Sequence, residues 1–578
     1  MIQLVALLDS APLLGALSEA KNQIQFVVQF VSAVVLTGLL CFLYFSYPAR
    51  SRDVIARFQK HASNMRLCIA TAMLLPLLVR LSLLPIIPPP VPHVQDEFGH
   101  LLVADTLAHG RLANPPHLLW RHFETIYILQ RPTYSSSYPI GQGTILALGK
   151  ALTGTPWAGV LLSVMLMSGA TTWMLFGCLP PNWAATGGLL ATIDLGLAFP
   201  WINSYWGGAF CAFGGALLFG ALCRLHKGPS VIMGLLVGIG WSVSWLIRPF
   251  ESVLLCGLVW AFFAVIVFRQ PRLWKRWLGT ILIVLSLQIS AGVVTALHNR
   301  AVTGSFKTLP YTLSQRVYGV PQSLRWQRPI EEPILQVEQQ KEMYQWQRDK
   351  KQDAETNPLR QYRDTLHAIW RFFITPWYLF PLLLLPFLFN DHDVLLGWGI
   401  LGGAIAISGF YPFFFPHYIG AYACVIFYLI VRGVMVLYHF SFRAKPVGQL
   451  LAVFLIVGGL TLALRIVPPT TFEGLRPPSD FREQVRERLE QIGGQHVVFV
   501  RYAADHDFRQ EWVYNAADVD ASRIVWCRTM GQVNDVEVSN YYRDRRMWIV
   551  DVGQDAMQVA PYHPEDELTL TAAPRMRP

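Results

Sequence analysis

Apolar runs recur along this chain at roughly 24–46, 66–87, 156–177, 182–200, 206–224, 229–247, 251–268, 277–297, 366–389, 393–411, 416–438 and 447–466, and no other feature limits its fold so strongly. Each comes close to the roughly 20 residues that a helix needs to cross a hydrocarbon core of about 30 Å. The composition, 53% hydrophobic and 15% charged, agrees with an integral membrane protein. The expected fold is mainly α and polytopic, with about twelve transmembrane helices and a small C-terminal exoplasmic α/β domain.

Short cytoplasmic loops collect Lys and Arg, so basic residues orient the spans. Arg50 to Arg66 (with Arg52, Arg57 and Lys60), Arg224-Leu225-His226-Lys227 and Arg269 to Arg276 (with Arg272 and Lys275) are plainly basic, and Arg443-Ala444-Lys445 precedes the last span. Strict alternation puts these connections on one side, and Asp96-Glu97, the segment 298–365 and the tail from 467 on the other, exoplasmic side. The formal net charge of +10 is then mainly a signal of topology and a poor sign of nucleic-acid binding. This parity requires Ile140 to Leu152 not to cross. The run is short and begins with Gly141-Gln142-Gly143, which suits an interfacial helix on the exoplasmic side. Met1 to Ala20, mildly apolar and without a basic n-region, also reads as an interfacial helix rather than a cleaved signal.

Residues 1–65 hold that segment and an extra transmembrane helix, and 66–466 form the membrane body, with a first exoplasmic loop at 88–155 and a long one at 298–365. Glu331 to Asp364, dense in Glu, Gln, Lys and Arg, suits a soluble helix in the long loop. In the tail, 467–578, Asp480 to Ile492 has helical character with Gly493-Gly494 as a stop. His496 to Val500, Arg523 to Trp526 and Met547 to Val550 are short β-rich runs, for which a parallel sheet is one arrangement. The tail has no Gly-rich phosphate loop and is assigned no catalysis. Cys41, Cys68, Cys178, Cys211, Cys223, Cys256 and Cys424 lie in or beside apolar runs and Cys527 stands alone in the tail, so neither a disulfide framework nor a CxxC metal site is expected.

The chemistry-bearing residues cluster where the chain leaves the second span, in Pro88-Pro89-Pro90-Val91-Pro92-His93-Val94-Gln95-Asp96-Glu97-Phe98-Gly99-His100. Proline lacks an N–H and pushes its predecessor out of the helical region, so the acidic pair follows a stiff, extended lead. Phe98, Leu101, Leu102 and Asp105 then have helical spacing, Gly110 can end the helix, and Asp96 and His100 share one face. The plainer alternative makes Asp96 an N-cap with Glu97 in the first turn. Farther on come Glu124, Arg131, Tyr134, three serines and Tyr138-Pro139, which suit a lipid phosphate or sugar hydroxyls and equally a plain interfacial loop. Other exoplasmic ends carry Asn203-Ser204-Tyr205, the tight turn Arg248-Pro249-Phe250-Glu251, His298-Asn299-Arg300 and Pro416-His417-Tyr418. Arg248 either pairs with Glu251 or meets a lipid phosphate.

The Gln95-Asp96-Glu97 motif after an early span, an amphipathic helix, and Ser135-Ser136-Ser137-Tyr138-Pro139-Ile140-Gly141-Gln142-Gly143 before an interfacial helix resemble the polytopic GT-C glycosyltransferases. The likeness covers roughly 66–466, is greatest to bacterial relatives of the protein O-mannosyltransferases and of the lipid A aminoarabinose transferase, and draws weaker support from Asn299-Arg300-x-x-Thr303-Gly304. It implies a sugar carried on a polyprenyl phosphate and transferred, with inversion, to a glycan, lipid or protein acceptor on the exoplasmic face. It implies, further, a place in the bacterial inner membrane with the active site and tail facing the periplasm.

By that resemblance Asp96 is the general base, and Glu97 orients Asp96 or the acceptor, or exchanges roles with it. Arg131, Arg248 or Arg300 hold the phosphate, and His100, Glu124, Tyr134, Tyr138, Asn203, Tyr205, Asn299, His417 and Tyr418 are expected to bind substrate. The chain departs from the family pattern at Asn203-Ser204-Tyr205, where several members carry a second acid. Either Asn203 makes a neutral hydrogen bond there, or Glu124 takes the acidic role; Asp194 lies about two turns earlier, inside the span. No cofactor is expected to be required: Asp96, Glu97, His93 and His100 could ligate a divalent metal but lie within one short stretch without a distant partner. The rivals are a transporter or flippase, which would place polar groups near mid-membrane, and a polymerase or ligase of polyprenyl-linked glycans.

Overall fold

Apolar sequence becomes helix over most of the chain, because backbone groups in hydrocarbon find partners only within their own segment. The computed structural model describes residues 11–198, 200–269, 272, 274–321, 323–327, 332–388, 390–465, 481–553 and 557–564. Among these, nine helices are long and apolar enough to cross a membrane: Phe26–Ser46, Met65–Ser82, Trp157–Cys178, Pro181–Asn203, Gly208–Leu225, Pro249–Arg269, Trp274–Thr303, Pro416–Tyr438 and Val447–Leu464. Two shorter apolar helices, Val231–Ile247 and His392–Ser408, fall where spans are expected.

The expected span at 366–389 is corrected. Its first third belongs to a helix, Pro358–Phe373, that carries Arg360, Arg363, Asp364 and Arg371, and a separate helix, Pro376–Leu383, follows. The break has a local cause: Pro376 forces Thr375 into the extended region (φ −73°, ψ 161°), so the first helix cannot run through it. Twelve continuous spans therefore become nine long helices and two shorter ones among the described residues.

Contacts divide the chain into two compact units. One comprises Met1–Pro89, Val160–Ala291 and Pro358–Pro477; the other comprises Pro90–Gly159, Gly292–Asn357 and Pro478–Pro578. In the first unit small residues let helix backbones touch, as expected where lipid supplies no hydrophobic drive for association. A Cβ on Gly215 would lie 1.8 Å from the Ala421 carbonyl oxygen. Cys178 and Cys223, 45 residues apart, form a disulfide. This corrects the sequence expectation, since packing of two helix ends brings them together and their spacing carries no such signal.

In the second unit the helix Gln95–Ala108 packs on Ile140–Thr153, and a short antiparallel pair, β1 (Ile128–Leu129) and β2 (Ser135–Ser136), lies in the same loop. The tail folds as β3 (His496–Tyr502), β4 (Ile524–Arg528), β5 (Arg546–Val552) and β6 (Met557–Pro561) in the order β4-β3-β5-β6. The first three strands are parallel and β6, missed in the sequence, runs antiparallel to β5. Alternation gives the sheet two apolar faces. Val498, Val500, Trp526 and Val550 pack with Val485 and Leu489 of the helix Phe481–Ile492. Val497, Phe499, Val525 and Cys527 pack with Phe98, Leu102, Phe123, Ile128 and Tyr134 of the first loop. For this reason the described part of 467–578 forms one unit with the external loops, and its second face would otherwise be bare.

Candidate functional site

In the second unit the proline lead ends at Val94, whose extended backbone (φ −110°, ψ 154°) starts the helix. Glu97 sits at the third helical position, and its Oε2 accepts hydrogen bonds from the backbone N–H of His93 at 2.9 Å and of Val94 at 3.3 Å. Glu97 satisfies the orphan donors at this helix end, so the N-cap reading of Asp96 is corrected. The Asp96 carboxylate, half-buried in the first turn, accepts instead from the Tyr138 hydroxyl at 2.6 Å.

Three sequence candidates meet here. The rings of His100 and Tyr138 lie 4.5 Å apart between centroids, and Tyr127 meets Tyr138 edge-on at 5.5 Å. Tyr127 has a positive φ of 60°, a sparsely allowed conformation for a bulky residue, and its carbonyl accepts the Ser137 N–H at 2.9 Å. Gly99 makes the approach possible: a Cβ there would lie 2.6 Å from the Tyr138 ring. Farther along the same helix, Asp105 binds Lys150 Nζ at 2.5 Å and the Ala517 N–H at 2.7 Å, fastening both helices to the tail segment. Burial opposes ionisation of Asp105, but the Lys150 contact and the Ala517 N–H hold its carboxyl below the usual range.

Other candidates in this unit have different engagements. Tyr134 is buried and donates to the Asn515 carbonyl at 2.9 Å; burial pushes its phenol far up. Arg131 is exposed and stacks on Trp120, 4.5 Å from the ring centroid. Glu124 is buried, and burial pushes its carboxyl up despite the Tyr318 hydroxyl at 3.3 Å and the charges of Arg528 and Arg121. The Asn299-to-Gly304 motif is a helix end. Gly304 takes φ 79° and donates to the Arg300 carbonyl at 3.0 Å, Thr303 Oγ1 donates to the Asn299 carbonyl at 2.8 Å, and the Arg300 guanidinium donates to the Gly304 carbonyl. Asn299 Nδ2 donates to the Phe306 carbonyl at 3.1 Å.

The first unit holds the rest. The Arg248 guanidinium lies 3.8 Å above the Tyr418 ring, His417 meets Tyr418 edge-on at 4.8 Å, and Trp206 stacks on His417 at 5.3 Å. Tyr205 is buried. Asn203 Oδ1 accepts from Arg80 Nε at 2.8 Å, and the other arms of Arg80 donate to the Ile87 and Pro88 carbonyls at 2.7 Å each. Sequence reasoning missed Arg80, although an arginine after thirteen uncharged residues of the helix Met65–Ser82 is a strong signal. Asp194 is buried at the start of a π turn, Asp194–Ala198. Among the described residues no three His, Cys, Asp or Glu side chains converge as metal ligands do.

No protein-family profile and no curated protein sequence matches the chain. Among solved structures it is similar to ArnT of Cupriavidus metallidurans bound to undecaprenyl phosphate, at 12% identity and a TM-score of 0.46, over 86% of this chain and 94% of that one. It is similar also to the Archaeoglobus fulgidus oligosaccharyltransferase tethered with an acceptor peptide, at 9% identity and a TM-score of 0.43, over 83% of this chain and 68% of that one. The AglB oligosaccharyltransferase of the same organism, in complex with an inhibitory peptide and a dolichol-phosphate, is similar at 10% identity and a TM-score of 0.39, over 84% of this chain and 69% of that one.

Proposed function

We propose that this protein is an integral membrane glycosyltransferase that moves a sugar from a polyprenyl-phosphate donor to an acceptor on the exoplasmic face, inverting the anomeric centre, with Asp96 as general base. The observation that carries the reading is the division of labour in the acidic pair. Glu97 caps the helix end by accepting from backbone N–H groups, while the half-buried Asp96 carboxylate meets the Tyr138 hydroxyl beside His100, where a base for an acceptor hydroxyl is needed. In the reaction an acceptor hydroxyl oxygen attacks the anomeric carbon, the bond from that carbon to the phosphate oxygen breaks, and the hydroxyl proton passes to Asp96. Phosphate leaves without a proton, so the donor end needs a cation more than an acid.

Arg131, Arg248 and Arg300 are the candidate cations for the phosphate, and the Arg248 guanidinium lies 3.8 Å above the Tyr418 ring. Arg300 donates to the Gly304 carbonyl at its own helix end, and Arg131 stacks on Trp120. Tyr138, on this reading, positions Asp96, and His100 bounds the same space. The acceptor is a glycan, a lipid or a protein, and the membrane is a bacterial inner membrane with the site toward the periplasm. The basic loops support that orientation.

The test is transfer in membranes from a panel of radiolabelled polyprenyl-phosphate sugars, with Asp96→Asn beside the wild type. Expected is loss of transfer by roughly 10²–10⁴-fold at unchanged expression. Full activity in the variant sinks the assignment of the base. The flippase reading draws on two buried ionisable groups in membrane helices, Arg80 and Asp194. Movement of labelled lipid that survives Asp96→Asn, with no transfer product, would establish it instead.

A further inference from the structure

We propose that the helix Pro358–Phe373 is a docking surface for the anionic headgroups of the surrounding leaflet, lying along the membrane boundary rather than across it. Its residues fall into three stripes. Thr365, Ile369 and Phe373 are buried, at spacings of one turn. Beside them, the Tyr362 hydroxyl donates to the Ala406 carbonyl at 3.2 Å, and its ring occupies the space where Gly409 lacks a side chain. Gln361 donates to the Tyr411 carbonyl at 3.3 Å, and Phe372 and Phe373 lie against Trp201, with centroids 6.2 Å apart. Ala406 belongs to the last turn of His392–Ser408 and Trp201 to the end of Pro181–Asn203. The helix is thus pinned to the ends of two apolar helices, at the depth where hydrocarbon gives way to headgroups.

The second stripe is apolar and open. Leu359 is 84% and Leu366 48% exposed, with half-buried Trp370 continuing the line at spacings of seven and four. The third stripe, next to it, carries Arg360, Arg363, His367 and Arg371, all exposed. Asp364 is the only acid on the helix, 3.1 Å from Arg363 and 3.8 Å from Arg360, so three arginines less one aspartate leave an excess of two positive charges with histidine neutral. An apolar edge beside a basic edge is what an interfacial helix needs: leucine and tryptophan enter the acyl boundary while arginines meet lipid phosphate. The preceding helix, Glu338–Thr356, shows the contrast, since it is rich in charge and exposes no large apolar residue. The apolar edge also continues along the chain in exposed Phe380 and Leu383 of Pro376–Leu383, so lipid is a better occupant than a soluble protein.

The test uses the full chain in lipid nanodiscs of phosphatidylcholine, with or without phosphatidylglycerol. An environment-sensitive fluorophore is placed at Leu366→Cys and, as an exposed reference, at Val533→Cys, with the unsubstituted chain as the labelling blank. The expected result is a blue-shifted label at 366, quenched by nitroxides borne on lipid and shielded from iodide in solution. Iodide quenching equal to that at 533 overturns the proposal, and so does shielding from both quenchers, which marks a protein partner. In detergent, phosphatidylglycerol should raise the melting temperature more than phosphatidylcholine does. The variant with Arg360→Gln, Arg363→Gln and Arg371→Gln should lose that difference. Equal response of the wild type to both lipids removes the headgroup part of the proposal.

Discussion

Changing Tyr138 to Phe isolates what the Asp96 contact contributes. The ring stays, so its packing against Gly99, His100 and Tyr127 is kept, and only the hydroxyl 2.6 Å from Asp96 Oδ1 is removed. A hydrogen bond to a charged group is worth about 1.5–3 kcal/mol. Asp96 is half-buried, water can restore part of that bond, and the lower end applies: about 1.5–2 kcal/mol, or about ten- to thirty-fold in kcat/KM at 1.36 kcal/mol per tenfold. A group that orients a base acts in the transition state, so the loss should appear in kcat with KM little changed. The assay is transfer by purified, reconstituted enzyme under donor saturation, with melting temperature as the control for folding. Wild-type kinetics in Tyr138→Phe, or a change confined to KM, would refute the positioning role and return Tyr138 to direct substrate binding. Loss of activity in Tyr138→Phe but not in Asp96→Asn would refute the base instead.

Other substitutions read the surroundings. Asp105→Asn removes the anchor to Lys150 and weakens that to Ala517, and should lower stability by about 1–3 kcal/mol, measured by thermal unfolding in detergent. Because the Asp105 carboxyl is held below its unfolded value, its contribution is complete above a pH of about 4 and disappears as pH falls through the folded value, so wild type and variant should converge in acid. Glu124 behaves oppositely: with its carboxyl raised by burial, stability is present in acid and declines as pH rises through the folded value. Glu124→Gln should therefore flatten the pH dependence and retain transfer; its inactivation would restore Glu124 as a second catalytic acid. Arg80→Met leaves Asn203, Ile87 and Pro88 without their donor and should cost about 3 kcal/mol or more, seen as a lower melting temperature.

Much of the first loop was legible because its signals are local. Helix Gln95–Ala108 begins after the prolines and closes at Gly110, whose φ is 69°, and helix Ile140–Thr153 occupies the expected interfacial run. The division of the acidic pair was not legible. Asp96 and Glu97 are adjacent and chemically alike, and only the direction of each side chain distinguishes a cap from a carboxylate bound by a tyrosine 42 residues away. Asn299-Arg300-x-x-Thr303-Gly304 has a local part that the sequence reading did not assign, for it forms a helix end.

The sequence by itself determined that the chain crosses a membrane many times, since hydrocarbon tolerates only long, internally bonded apolar segments, and it determined where helices start and stop wherever proline or glycine acts on neighbouring backbone. It also placed three of the four tail strands, because short runs of β-branched and aromatic residues suit buried strands wherever they occur. Tertiary structure alone decided which residues meet. The Arg80–Asn203 contact spans 123 residues and Tyr134 reaches Asn515 across 381, and both depend on packing that no local pattern encodes. It decided too that the tail sheet takes the first loop as its second face, because a buried apolar surface records that it must be covered without recording by what.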